Sequence, residues 1–185
     1  MRPISRAAAS IEVIDDYLAG KPIEVALKKW FRDNRFAGSN DRYLIRDIVF
    51  EILRRRKSFS YPFKVNGYKE GGRILVLSYL AEFYDLSSLK NITNNNKYFL
   101  EPPNLKEIAI LSKKKSFLAN APRYISLDYP SFLEDDLSKS LGIKIEPIMA
   151  EMQKRAPTYL RVNLLKTTID EAEFALASEG IICSR

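Results

Sequence analysis

The sequence, 185 residues long, contains no histidine. Imidazole general bases, imidazole metal ligands and Ser/His or Cys/His nucleophile pairs are therefore excluded together. A single cysteine, Cys183, excludes an internal disulfide and a cysteine-built metal cluster. Cys183 has no neighbouring basic clamp except Arg185 and lies at the start of an apolar stretch, so it reads as a packing residue. Glycine is sparse, at seven, and the pair in "EGGR" at 70–73 reads as a turn, not a phosphate cradle. No apolar run approaches the roughly 18–20 residues that span a bilayer. Glu12, Asp15 and Asp16 interrupt what would be the apolar region of a secretory signal. The expectation is a soluble, cytoplasmic protein with neither membrane nor metal as a partner.

What the sequence does have is positive charge on a foldable background. Hydrophobic residues make up 46%, enough for a packed core, and 30 Lys/Arg against 23 Asp/Glu leave a net charge of +7. Residues 1–64 hold 14 of the basic residues and 8 of the acidic ones, so most of the surplus sits in the first third. Such a balance favours an acidic partner: nucleic acid first, an anionic membrane surface second.

Spacing predicts helices over most of the chain. Pro3 can start the first and Gly20 end it, with Ile11, Val13, Ile14 and Leu18 on the apolar face. Pro22 can start a second, holding Ile23, Val25, Ala26, Leu27, Trp30 and Phe31. "RFAGSNDR" breaks the pattern, and Ser39 or Asn40 is expected to cap a third helix by accepting a free first-turn N–H. In that helix Leu44, Ile45, Ile48, Val49, Ile52 and Leu53 recur at helical spacing. After a break at "SFSYPFKVNGYKEGG", a fourth helix is expected over Arg73–Tyr84 and a fifth in "NLKEIAIL". The Asn-rich "LKNITNNNKYFLEPP" between them reads as loop, and Lys113–Lys115 as a solvated run. "LDYPSFLEDDLSKSLG" predicts a short helix stopped at Gly142, and "KIEPIMAEMQKR" another with Pro147 in its first turn.

At Thr158 the period changes. "TYLRVN" alternates and predicts a strand. Thr168 and Glu171 fit a capping box opening a helix, with Phe174, Ala175 and Leu176 as core contacts and Gly180 as its end. "IICSR" predicts a second strand. The expected fold is mainly α: a helical domain over 1–127, then linker helices and the start of a small strand–helix–strand α/β subdomain over 128–185. No internal repeat is present.

Three stretches resemble one family. "RFAGSNDRYLIRDIVFEILRRR" resembles the N-terminal helical domain of bacterial 16S ribosomal RNA cytosine methyltransferases, of the wider Sun/Fmu and Nop2-like type. That domain is similar to the RNA-binding antitermination factor NusB. "YPSFLEDDLSKSLG" resembles the family's linker helix, with Phe132 where tryptophan is usual. "RAPTYLRVNLLKTTIDEAEFALASEGI" resembles the signature R-A-P-x-x-L-R-V-N-x-L-K. The resemblance implies a NusB-like bundle and a small RNA-binding subdomain leading into a Rossmann-like domain that binds S-adenosylmethionine. It implies covalent catalysis, a cysteine thiolate adding to carbon 6 of cytosine so that carbon 5 takes the methyl group. The glycine-rich cofactor loop and the Pro-Cys and Thr-Cys motifs are not found in these residues. The chain by itself is therefore expected to be inactive, to bind no cofactor and to supply RNA capture.

On that reading Arg42, Arg46, Arg54, Arg55, Arg56 and Lys57 are candidate phosphate contacts, arginine's fork suiting bidentate binding. The competing reading is a solvated helix face with local pairs, such as Arg54 with Glu51, or Arg42 and Arg46 buttressing Asp41 and Asp47. Arg161, Asn163 and Lys166, on or just after the signature strand, are candidates for an RNA-facing surface, against a structural role at the turn before Thr168. Trp30 and the alternating Phe59, Tyr61 and Phe63 read as packing residues more than as base-stacking platforms. The alternative function is a stand-alone NusB-like RNA-binding module in antitermination or ribosome assembly. A helical protein-interaction module, its charge serving solubility, is a third.

Overall fold

A computed structural model describes residues 1–90 and 100–184. The chain divides into two compact units, Met1–Arg155 and Ala156–Arg185.

In the first unit, α1 (Pro3–Leu18) begins on a proline, whose missing N–H is one that no helix start can satisfy internally. It buries Ala7, Ala9, Val13 and Ile14 and packs on α2 (Ile23–Asp33), α3 (Ser39–Arg54) and α5 (Gly72–Leu80). The third helix is not capped as expected: Gly38 takes the cap position, no side chain bonds there, and Ser39 is already helical. Its buried stripe is Ile45, Val49 and Ile52.

The expected break after Lys57 is instead α4 (Arg56–Lys64), which follows α3 across the single residue Arg55. Phe59 and Phe63 look alternating on paper but stand four apart on a helix, so they share a face, and both are 0% exposed. The fourth predicted helix, α5, is apolar on nearly every side, burying Ile74, Leu75, Val76 and Leu77, and it ends at Leu80, short of the Tyr84 expected. Its start lies so close to α1 that a Cβ on Gly72 would sit 2.6 Å from the carbonyl oxygen of Ile11. The Gly72 N–H donates to Asp15 at 2.6 Å.

The short α6 (Leu86–Lys90) precedes the Asn-rich segment, most of which lies outside the described residues. Asn104 and Glu107 form a reciprocal capping box on α7 (Leu105–Ser112). In α8 (Lys114–Ala119) the predicted solvated lysine run is overturned at its centre. Lys114 is 8% exposed, donates to the Ser78 carbonyl and to Glu82, and lies 4.3 Å from the centroid of the Phe59 ring. A flexible stem lets lysine bury its methylenes while its ammonium finds partners. The four-residue α9 (Arg123–Ser126) leads to Asp128, held at φ 60°. Its carboxylate accepts the Ser58 N–H at 2.7 Å, the Ser58 hydroxyl at 2.7 Å and the Gln153 side-chain amide at 2.8 Å. A single-turn 3-10 helix (Ser131–Leu133) and α10 (Glu134–Leu141) end at Gly142, whose φ of 53° stops the helix as predicted. After another 3-10 turn, α11 (Ile145–Met152) closes a second small core of Tyr129, Ile145 and Met149.

The second unit contains α12 (Ile169–Ser178), opened by the predicted capping box: the Glu171 N–H donates to Thr168 Oγ1 and the Thr168 N–H to Glu171. Gly180, at φ 79°, follows its end. Among the described residues no strand forms, so the segments predicted as "TYLRVN" and "IICSR" strands carry no ladder. A strand is defined by a partner's hydrogen bonds, and two short extended segments beside one helix are marginal. The predicted core contacts also fail here: Phe174 is 77% exposed, Ala175 is exposed, and Leu176 is half-buried. Among the described residues no helix is long and apolar enough to cross a membrane.

Candidate nucleic-acid interface

The basic residues predicted on the third helix divide between α3 and α4, and most of them meet carboxylates. Arg46 donates to Glu24 at 3.1 Å and lies 5.5 Å from the Phe50 ring centroid. Arg54 donates to Glu51. Arg55 donates to Glu82 at 2.9 Å with its guanidinium 4.5 Å from the Phe59 ring centroid. Arg56 makes a fork to both oxygens of Glu70, at 2.8 Å each, and lies 5.8 Å from the Tyr17 ring centroid. The hydrogen bonds from Arg56 hold the Glu70 carboxyl below its ordinary range, and the Glu70 carboxylate in turn raises Arg56. Of the two competing readings, the local pair Arg54–Glu51 is present, whereas Arg46 reaches Glu24 and not Asp47. Asp47 is met by Arg155, at 2.8 Å.

Two of the six differ. Lys57 stands 5.8 Å from the Tyr124 ring centroid and lines a cleft of about 310 Å³ with Arg56, Ser60, Tyr61, Lys64, Glu70 and Ile125. Arg42 donates through Nε to the Ala37 carbonyl at 2.8 Å and lies 5.8 Å from the Phe31 ring centroid. Arg42 also lines an open concavity of about 580 Å³ with Lys28, Phe31, Arg32 and Arg35. Those three cations were missed by the sequence reading. Lys28, Arg32 and Arg35 recur at helical spacing, which was a signal, but the run crosses the end of α2, and Arg42 joins it from the next helix.

In the second unit Arg161, Asn163 and Lys166 are all exposed. Asn163 builds a turn: its side-chain oxygen accepts the Leu165 N–H at 3.1 Å and its carbonyl the Lys166 N–H at 2.9 Å. The turn role weighed against RNA contact is thus realised for Asn163, while Arg161 and Lys166 present their charge to solvent.

The glycine pair offers no cofactor cradle. Gly72 is needed where α5 meets α1, and its N–H already has a carboxylate partner. A phosphate cradle requires backbone N–H groups free to face the ligand. The pair is therefore a packing and turn element of the fold. Among the described residues no group of three or more Asp, Glu or Cys could hold a metal ion.

Residues 129–185 match the family described as "Methyltr_RsmF/B-like, ferredoxin-like domain". The matched stretch begins in the first compact unit and includes all of the second. No curated protein and no solved structure matches the chain. The match falls on the linker helix and the R-A-P signature, and over those residues it supports the resemblance to Sun/Fmu-type methyltransferases.

Proposed function

We propose that the chain is the RNA-binding part of an S-adenosylmethionine-dependent methyltransferase acting on carbon 5 of cytosine in ribosomal RNA. Its task is to hold RNA for a catalytic domain that these residues do not include. The observation that carries the reading is the family match over residues 129–185. The basic helical unit supports it, because attraction to phosphate is long-ranged and independent of sequence. In this reading the helical unit is NusB-like and the second unit is the opening of a strand–helix–strand subdomain, working in the cytoplasm. Cofactor binding and the reacting cysteines belong to the further domain. Of the residues singled out, Lys57, Arg161 and Lys166 are available to phosphate as they stand. Arg46, Arg54, Arg55 and Arg56 must each exchange a carboxylate for a phosphate, which lowers the net gain.

The test is a titration of the 185-residue chain with a labelled ribosomal RNA fragment at several salt concentrations, beside a methyl-transfer assay with labelled S-adenosylmethionine. Binding that weakens steeply with salt, with no transfer, is the expected result. Absence of RNA binding at low salt overturns the capture role, and methyl transfer by this chain overturns the assignment of chemistry to another domain.

A further inference from the structure

We infer that the open concavity between the end of α2 and the start of α3 is the seat for the RNA sugar-phosphate backbone, with Lys28, Arg32, Arg35 and Arg42 as its phosphate contacts; this rests on the RNA-binding reading above. Four cations and one aromatic ring line it, and no carboxylate does. The acids nearest in sequence are engaged. Glu24 is held by Arg46, and Asp41 by Arg6 at 2.8 Å and by the N-terminal ammonium at 3.0 Å. Asp33 touches Arg32 at 3.4 Å across a pair that is largely in water, where such contacts are weak. The positive charge here is therefore not neutralised from within, in contrast to that of Arg54, Arg55 and Arg56.

Arg42 is also oriented in advance. A carbonyl fixes its Nε and the Phe31 ring lies beneath its guanidinium, and neither removes its charge. An arginine already held in place loses less side-chain freedom when an anion arrives. The start of α3 adds to this field. Gly38 supplies no side-chain cap, so the first-turn N–H groups keep their partial positive charge toward that end of the helix. Lys28, Arg32 and Arg35 are exposed and reach the same hollow from α2 and the turn after it. A concave, cation-lined surface matches a curved polyanionic strand better than the flat face of a bilayer.

The experiment is fluorescence anisotropy of a labelled RNA stem-loop with the full 185-residue chain, each variant checked for native helicity by circular dichroism. Lys28→Gln/Arg35→Gln removes two exposed cations that form no ion pair among the described residues. It should weaken binding about tenfold and reduce the salt slope of log Kd by about one to two. Lys106→Gln/Lys139→Gln, an equal charge loss at exposed positions elsewhere, should change Kd by less than about twofold. Arg42→Lys keeps the charge and loses the fork, and should cost about threefold. Equal losses in the two double variants overturn the inference, because net charge alone would then explain binding. Full affinity in Lys28→Gln/Arg35→Gln overturns this seat while the RNA-binding reading stands; no binding by the wild type overturns both. Binding to phosphatidylserine vesicles in preference to RNA, lost in that double variant, would overturn it in favour of a membrane surface.

Discussion

The two compact units hold their polar groups in different ways. In Met1–Arg155 the decisive partners are far apart in sequence: Arg73 and Glu107 by 34 positions, Ser58 and Asp128 by 70. In Ala156–Arg185 the bonds are local, Thr168 to Glu171 three positions on and Asn163 to Leu165 two. Apolar side chains follow the same division: Phe59 and Phe63 are sealed in the first unit, whereas Leu165, Phe174 and Ile182 in the second are open to solvent. Distant pairing is a product of the packed fold and shares its stability. Local pairing needs only its own few residues, and it contributes correspondingly little.

The largest expected effect comes from breaking a distant pair around a buried charge. Arg73 forks onto Glu107 at 2.9 Å through Nε and Nη2 and also donates to the Glu101 and Pro102 carbonyls, while Glu107 is only 3% exposed. Arg73→Ala leaves that carboxylate buried with little beyond the Asn104 N–H, and should cost about 3 kcal/mol in urea unfolding. A cost below about 1 kcal/mol would mean that the distant pairs do not share the stability of the fold.

Asp128 comes next. Its carboxylate takes the Ser58 N–H inside the first turn of α4, a helix start that has no side-chain cap of its own nearby in sequence. Asp128→Ala strands that donor, leaves the Gln153 amide with only its bond to the Ser126 carbonyl and places alanine at a positive φ, with an expected loss of about 2–3 kcal/mol. Asp128→Asn retains an acceptor and a residue type that tolerates the left-handed conformation, so it should cost roughly half as much. Equal costs in the two variants would show that charge, not hydrogen bonding, is the operative property.

A smaller effect is expected at Arg56 and Glu70, a partly exposed pair for which about 1 kcal/mol is appropriate. Hydrogen bonding from Arg56 lowers the Glu70 carboxyl from its ordinary value of 4.5. The unfolded chain therefore takes up the proton first as pH falls. The stabilisation is fully present above about 4.5 and is lost as pH drops through the lower folded value. The stability difference between wild type and Arg56→Ala should accordingly narrow in acid, measured by urea unfolding between neutral pH and pH about 3. A difference that stays constant across that range would remove the ionic contribution.

The same division explains what could be read in advance. Pro3, Gly142 and the Thr168–Glu171 box announce helix limits because their physics is confined to a few neighbouring residues. The α4 helix was not legible, since aromatic alternation and Pro62 both argue against a helix, and burial of Phe59 and Phe63 under α5 outweighs them. Lys114 looked solvated because its partners Ser78 and Glu82 lie more than 30 positions away. For the site, the basic character of α3 was plain, but which cations are neutralised depends on Glu24, Glu70 and Glu82, which come from other elements. The concavity around Arg42 joins residues of two helices and a turn, so no single periodicity reveals it. The strands were anticipated from an alternation that specifies a face, whereas a strand also needs a partner edge.

The smallest effect belongs to the local side of the comparison. Thr168 accepts the Glu171 N–H at 3.2 Å, and Glu171 returns a bond to the Thr168 N–H at 2.8 Å. Both groups are exposed, so water can replace either bond at modest cost. Thr168→Ala should therefore reduce the free energy of opening α12 by about 1 kcal/mol, read as faster amide hydrogen exchange along Ile169–Ser178. Thr168→Ser keeps the oxygen and should leave exchange nearly unchanged. A loss in Thr168→Ala as large as that in Arg73→Ala would mean that α12 is held by more than its own turn. The contrast between distant and local bonding would then fail at the point where it makes its sharpest claim.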